Sequence, residues 1–133
     1  MIYANHEEAP WNSDRWQNFT AKELACPCCG EYYHDELSLD QLQSARNKSG
    51  VSYHINSGHR CTRHNKEVGG ASKSQHLKIA FDISLGGHDF RELEAALRES
   101  GFTTFGYYGS FIHTDTRPGR IWYSNLGKEK WSE

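Results

Sequence analysis

Long apolar runs, prolines and repeats are all scarce in this sequence. No stretch approaches the roughly 18 to 20 consecutive apolar residues that a membrane-spanning helix needs, so we expect no membrane span. Three prolines occur among 133 residues, and the chain contains neither an internal repeat nor a low-complexity tract. The sequence therefore predicts a single domain over 1–133, with an N-terminal extension at 1–18 and a core at about 19–124.

An excess of either charge is also missing. The 15 lysines and arginines stand against 17 aspartates and glutamates, and no basic run exceeds a residue or two. A nucleic-acid partner is therefore not expected, because such proteins need a concentrated positive surface. The N-terminus is polar and carries Glu7 and Glu8, which predicts no signal peptide. We expect synthesis in the cytoplasm, and any work outside it would follow lysis, passage through a separate pore, or carriage on an assembled particle.

Capping signals and helical periodicity predict three helices. The segments Thr20–Glu23 and Ser38–Gln41 both have the spacing of a capping box. A third signal begins at Asp89, and an apolar stripe then runs to Gly101, which is a natural helix stop.

Other segments have the patterns of strands. Alternation predicts a half-buried strand at 51–56, and a short apolar run predicts a buried strand at 79–83. Segments 103–108, 111–116 and 120–124 are rich in β-branched and aromatic residues, and glycine-containing turns separate them, which predicts an antiparallel meander. The expected fold class is α+β, a small antiparallel sheet with flanking helices.

Two segments carry candidate metal ligands. His113 and Asp115 are two apart on a predicted strand and share one face, where they could serve a metal or simply bond to each other at the surface. Asp82 interrupts an apolar run six residues after His76, and a buried carboxylate needs a cation or a donor. A helix cap or a salt bridge to Arg60 or Arg63 would satisfy Asp82 equally well.

Six motifs, taken in order, resemble one known family. The chain is similar to the zinc D-alanyl-D-alanine carboxypeptidases and L-alanyl-D-glutamate endopeptidases, which share the hedgehog/DD-peptidase fold, and the resemblance spans about Phe19 to Trp122. The motifs are Ile55-Asn-Ser-Gly-His-Arg60, His64-Asn65, Val68-Gly-Gly-Ala71, Ser74-Gln-His76, Ala80-Phe-Asp82 and Phe111-Ile-His-Thr-Asp115.

The resemblance implies a set of roles. His76, Asp82 and His113 would hold one zinc ion whose bound water attacks the peptide bond. Arg60 would stabilise the developing oxyanion, and Ser74 would brace the ligand loop. The implied substrate is the stem peptide of peptidoglycan, and the implied setting is a phage or prophage lysis enzyme (an endolysin) or a virion component. We expect a monomer.

Two departures from the family pattern affect the chemistry. Relatives usually show Ser-x-His-x-x-Gly-x-Ala-x-Asp, whereas the spacing from His76 to Asp82 is one residue shorter and lacks that glycine. Such a loss within a strand would turn Asp82 to the opposite face unless the preceding loop absorbs it. Relatives also place an acid or histidine shortly before the last ligand, where this chain has Ser110 and Phe111.

The missing base needs a substitute. Asp115 is the best candidate for the proton carrier, with His54 and His59 as weaker ones. Asp115 has an alternative role, in which it only orients His113 from behind.

The four cysteines are unevenly placed, at Cys26, Cys28, Cys29 and Cys61. A second, structural zinc, a disulfide, and plain buried thiols all remain open, and His64 could complete a zinc site. Two other functions stay open beside the zinc peptidase. One is a non-catalytic wall-binding or structural module of the same fold, and the other is an interaction domain organised by the cysteines.

Overall fold

The computed structural model describes residues 1–132, which form an α+β fold as predicted. The helices are α1 (Ala21–Leu24), α2 (Glu36–Ser49), α3 (Thr62–Glu67), α4 (Phe90–Glu99) and α5 (Asn125–Lys130). The strands are β1 (Ile2–Tyr3), β2 (Tyr32–Tyr33), β3 (Ile55–Ser57), β4 (Phe81–Ser84), β5 (Thr104–Tyr107), β6 (Phe111–Asp115) and β7 (Ile121–Tyr123). None of the helices in this part of the chain is long and apolar enough to cross a bilayer.

The main sheet has five strands in the order β3-β4-β6-β5-β7. The pairs β3–β4, β4–β6 and β5–β6 are antiparallel, but β7 runs parallel to β5. The predicted terminal meander is therefore wrong in its last step. Both edges of β6 are already occupied, by β4 and β5, so the chain after β6 crosses to the free edge of β5 instead of pairing beside β6.

The hydrophobic core lies between one face of this sheet and two helices. Alternate residues of β4 point inward, and Phe81 and Ile83 are fully buried there. They pack with buried leucines of α2 and α4, including Leu42 and Leu97, and the two helices also contact each other. The opposite face of β4 and β6 is thereby left for polar side chains.

Several helix and strand boundaries differ from the sequence-based expectations, and the strand predicted at 79–83 is β4, Phe81–Ser84. Helix α2 begins at Glu36, two residues before Ser38. Its N-cap is Asp35, whose carboxylate accepts a hydrogen bond from the Ser38 amide. The strand predicted at 51–56 is confined to β3, and Val51 lies exposed before it. Helix α1 does carry the predicted capping box, in which Thr20 and Glu23 bond to each other's backbone amides.

Aromatic side chains from both ends of the chain join the packed interior. β1 pairs with β2, and Trp16 is 1% exposed although it precedes the core predicted at about 19–124. Trp131 follows α5 and packs on Phe90 and Tyr107 with ring centroids 4.7 and 4.8 Å apart. The predicted N-terminal extension therefore lies against the same core as the rest of the chain.

Candidate metal centre and its cleft

Two of the three predicted ligands face each other across neighbouring strands. Asp82 on β4 and His113 on β6 are direct partners in the antiparallel register. Because side chains alternate along a strand, both point away from the core that Phe81 and Ile83 occupy. The sheet thus fixes a carboxylate beside an imidazole.

The third ligand arrives from the loop before β4. His76 lies in a 3-10 turn, Gln75–Leu77, whose N-cap is Ser74. Lys78 ends this turn with φ −109° and ψ −107°, a conformation outside the regular helix and strand regions. The one-residue shortening between His76 and Asp82 is therefore accommodated in the loop rather than in the strand. Asp82 remains on the sheet face that it shares with His113.

The three side chains converge. Asp82 Oδ2 lies 3.1 Å from His76 Nε2, and Asp82 Oδ1 lies 2.9 Å from His113 Nδ1. One nitrogen or oxygen from each residue lies within 4.8 Å of the others. Asp82 thus faces two imidazoles rather than a helix N-terminus or the arginines considered above.

Hydrogen bonds behind each imidazole determine which nitrogen faces Asp82. His76 Nδ1 lies 2.6 Å from the Gly58 carbonyl and donates to it, so the other nitrogen, Nε2, faces Asp82. His113 Nε2 lies 2.7 Å from Asp115 Oδ2, so the other nitrogen, Nδ1, is presented to Asp82. Backing acceptors of this kind are the usual arrangement around metal-binding histidines.

The free nitrogen of His76 supports a cation at this point. His76 Nε2 is buried and has no hydrogen bond within the described residues, although the carboxylate oxygen Oδ2 of Asp82 is 3.1 Å away. A buried carboxylate facing this nitrogen is stabilised when a positive charge lies between the two groups. Two imidazoles and one carboxylate suit zinc, and they leave a fourth position for water.

The same contacts shift the titration of both charged partners. Burial raises the pKa of Asp82, but the contacts with His113 and His76 outweigh it and lower that pKa to about 2. Burial lowers the pKa of His113, and its bonds to Asp115 and Asp82 more than reverse this, so the net shift is upward. Both shifts thus reflect the same attraction between a negative Asp82 and a positive His113.

Asp115 lies behind His113 and away from the cleft. Its side chain is fully buried, and its oxygens accept bonds from His113 Nε2 and from the backbone and guanidinium of Arg117. Burial raises the pKa of Asp115, while the bonds from His113 and Arg117 outweigh it and lower that pKa to about 2. These contacts favour an orienting role for Asp115 over that of a proton carrier.

Arg60 and Ser74 are joined at the rim of the centre. Ser74 Oγ accepts bonds from the His76 amide and from the Arg60 guanidinium, both at 3.1 Å. The Arg60 amide also donates to the His76 carbonyl at 2.7 Å. Burial lowers the pKa of Arg60, and its Nε has no hydrogen bond within the described residues. Ser74 therefore couples the position of the guanidinium to that of the ligand turn.

An open cleft of about 910 Å³ gives access to these residues. It contains Arg60, His76, Asp82 and His113 together with residues that the sequence had not singled out for the site. These are Lys73, Tyr108, Arg117, Arg120 and Trp122. Trp122 packs on His113 with ring centroids 5.0 Å apart, and its indole donates to the Tyr108 hydroxyl at 2.9 Å.

Two signals in the sequence could have found these residues. Trp122 and Tyr108 belong to the aromatic-rich segments 120–124 and 103–108, and Arg117 and Arg120 lie on the turn that follows His113. The two weaker base candidates are not among the residues that line the cleft. His54 is exposed, and His59 is buried between the Lys78 carbonyl and Glu31.

The four cysteines also come together, and one of them, Cys61, directly follows Arg60. Their sulfur atoms all lie within 4.8 Å of one another, and every cysteine is a free thiol. His64 does not belong to this cluster of ligands, because it reaches Cys61 only through its backbone amide.

The fold and the site define the class first: an α+β domain in which two histidines and one carboxylate converge in an open cleft. Residues 17–115 match the model of a protein family described as Peptidase M15. The chain therefore belongs to the peptidase M15 family. It is also 37% identical over 93 residues to the zinc D-Ala-D-Ala carboxypeptidase of Streptomyces albus G, a match that covers 65% of this chain and 36% of that protein. The chain thus spans about a third of that relative's length.

Proposed function

We propose that this chain is a zinc-dependent peptidase that hydrolyses peptide bonds in the stem peptides of bacterial peptidoglycan. The observation that carries the proposal is the Asp82 carboxylate held between His76 Nε2 and His113 Nδ1 at the floor of an open cleft. Membership of a peptidase family and similarity to a zinc carboxypeptidase support the same activity.

The proposed ligands are His76, Asp82 and His113. Zinc bound by them would polarise the scissile carbonyl and activate a water molecule as the nucleophile. The Gly58 carbonyl and Asp115 fix the two rings, so neither imidazole has to reorient during the reaction. We assign Asp115 to this positioning role.

Arg60 is proposed to stabilise the negative charge that develops on the carbonyl oxygen. It lines the same cleft as His76 and Asp82, and its guanidinium is held by Ser74. A preorganised cation in a partly buried site acts strongly on developing charge, because little reorganisation is needed.

The charges of the cleft suit a substrate that carries carboxylates. Arg60, Lys73, Arg117 and Arg120 all line it, whereas Asp82 is the one carboxylate among the lining residues of the described chain. Stem peptides carry free carboxylates, and cations at the cleft would orient them. Cleavage of such peptides could release an amino acid or open the stem.

One observation favours a second candidate, a non-catalytic wall-binding module of the same fold. Apart from Asp82, no acidic residue of the described chain lines the cleft to accept a proton from the attacking water. Asp115 is enclosed by His113 and Arg117. Such a module would bind stem peptides without turning them over.

Digestion of purified peptidoglycan and of synthetic stem peptides by the zinc-loaded protein tests the proposal. Mass spectrometry of the products would show free D-alanine for a carboxypeptidase, or a cut at the L-alanyl-D-glutamate bond for an endopeptidase. His113→Ala should abolish cleavage, while the matched control His54→Ala, at an exposed histidine outside the cleft, should retain it. Bound zinc and bound stem peptide with no product would instead support the non-catalytic module.

A lytic setting is a further part of the proposal, and its support is the family resemblance. We propose that the chain is a phage or prophage protein that acts on the bacterial cell wall, either as an endolysin or as a component of the virion. Clearing of a suspension of permeabilised cells by the wild type, and not by His113→Ala, is the expected result.

A further inference from the structure

The four cysteines come from two segments that are distant in sequence. Cys26, Cys28 and Cys29 lie in the turn after α1, and Cys61 is the N-cap of α3. Cys28 Sγ lies 3.4 Å from both Cys26 Sγ and Cys61 Sγ, and all four sulfurs lie within 4.8 Å of one another. Each sulfur is therefore close to the other three.

We propose that these four cysteines bind a second, structural zinc ion, distinct from the one at the cleft. Tetrahedral zinc with Zn–S bonds of about 2.3 Å places its four sulfurs about 3.8 Å apart. Two sulfur–sulfur distances in the cluster are 3.4 Å and none exceeds 4.8 Å, which suits that value. Two disulfides would instead divide the sulfurs into two close pairs.

The turn that carries three of the ligands is shaped to present them together. Gly30 follows Cys29 with φ +81°, in the left-handed region that favours glycine, and its amide donates to the Cys26 carbonyl at 2.9 Å. The Cys26 amide donates to the Glu31 carbonyl at 2.7 Å, which closes the loop at β2. The backbone thus brings Cys26 and Cys29 to one side of the turn.

Two hydrogen-bond donors lie against the sulfur atoms of the cluster. The His64 amide donates to Cys61 Sγ at 3.4 Å, and the Arg63 guanidinium lies 3.8 Å from Cys28 Sγ. Four thiolates around one zinc ion carry a net charge of −2, and Arg63 offsets part of it. Four protein ligands also leave no position for water, so this site is closed and structural.

The proposed ion would stabilise the region that presents Arg60. Cys61 is the next residue after Arg60, and the neighbouring His59 amide already bonds to the Leu24 carbonyl at 2.8 Å. A zinc ion joining Cys61 to the turn at 26–29 would clamp the Arg60 segment from its other side. We therefore assign the second ion to positioning, away from the reacting atoms.

The test is the zinc content of the full chain, prepared under reducing conditions and measured by elemental analysis and native mass spectrometry. The wild type should bind two zinc ions, His113→Ala one, Cys28→Ser one, and the double variant none. Cys28 is exposed, so its serine variant should disturb packing little. Cys28→Ser with the zinc content of the wild type would overturn the proposal.

A second measurement keeps the proposal testable even if the cysteine variants fail to fold. Cobalt loaded into His113→Ala should give intense thiolate-to-cobalt charge-transfer bands, and thiol-specific modification of the zinc protein should release one zinc ion per chain. Absence of the charge-transfer bands, or an intact mass showing two disulfides in the reduced preparation, would contradict it. The outcome is independent of peptidase activity.

Discussion

The molecule contains two clusters of metal-ligating side chains, and they differ in what they leave free. The cluster of His76, Asp82 and His113 offers three ligands at the floor of a cleft. The cysteine cluster offers four sulfurs in a turn closed by backbone bonds. Since zinc prefers four ligands, the first cluster has a position for water and the second has none. Under the two proposals, the number of protein ligands therefore separates a reactive zinc site from a structural one.

Treatment with a chelator should show the largest difference between the two proposed zinc sites. Brief treatment with a chelator should remove the zinc ion in the cleft, which has an open coordination position, and abolish peptide cleavage while the fold remains. Removal of the cysteine-bound ion should require thiol modification and should lower the melting temperature. Zinc content, activity and circular dichroism followed on one sample check this. Loss of both ions at the same rate would contradict the comparison.

Substitution of Arg60 tests whether catalysis can be lost without losing either zinc ion. Arg60 lines the cleft and directly precedes Cys61 in the sequence. Arg60→Ala should lower kcat by roughly 10² to 10³, the usual cost of losing one donor to a developing oxyanion. Both zinc ions should remain bound, and Arg15→Ala, at an exposed arginine outside the cleft, should keep full activity. An Arg60→Ala variant with unchanged kcat would remove Arg60 from the mechanism.

Asp115→Asn should affect only the proposed zinc site in the cleft, and its effect should be smaller than that of Arg60→Ala. The neutral amide holds the His113 ring less firmly, so zinc affinity at the cleft or activity should fall by about 10- to 100-fold. The cysteine-bound zinc ion provides an internal control and should be retained. Titration of the second zinc equivalent with a competing chelator measures the change. Unchanged zinc affinity with a strong loss of kcat and an altered pH profile would instead make Asp115 the proton carrier.

Local patterns in the sequence predicted much of the fold and the positions of the candidate ligands. Two-residue periodicity correctly placed His113 and Asp115 on one strand face, and the charge within an apolar run marked Asp82. Capping chemistry correctly located α1 and α4, because it depends on residues three apart.

What the sequence did not predict depends on long-range packing. The parallel pairing of β7 with β5 follows from which sheet edge is free, and no local pattern encodes that. The φ and ψ angles of Lys78, in the loop that accommodates the short spacing between His76 and Asp82, likewise have no local sequence signal. Trp122 could not be assigned to the cleft either, because its contact with His113 depends on that pairing.

A crystal structure of the zinc-loaded protein, with anomalous scattering recorded at the zinc edge, tests the central claim most directly. The account predicts a peak bonded to His76 Nε2, Asp82 and His113 Nδ1 at about 2.0 to 2.2 Å, with a water or substrate oxygen as the fourth ligand. A map with no peak there, and with the Asp82 carboxylate still bonded directly to His113, would contradict it.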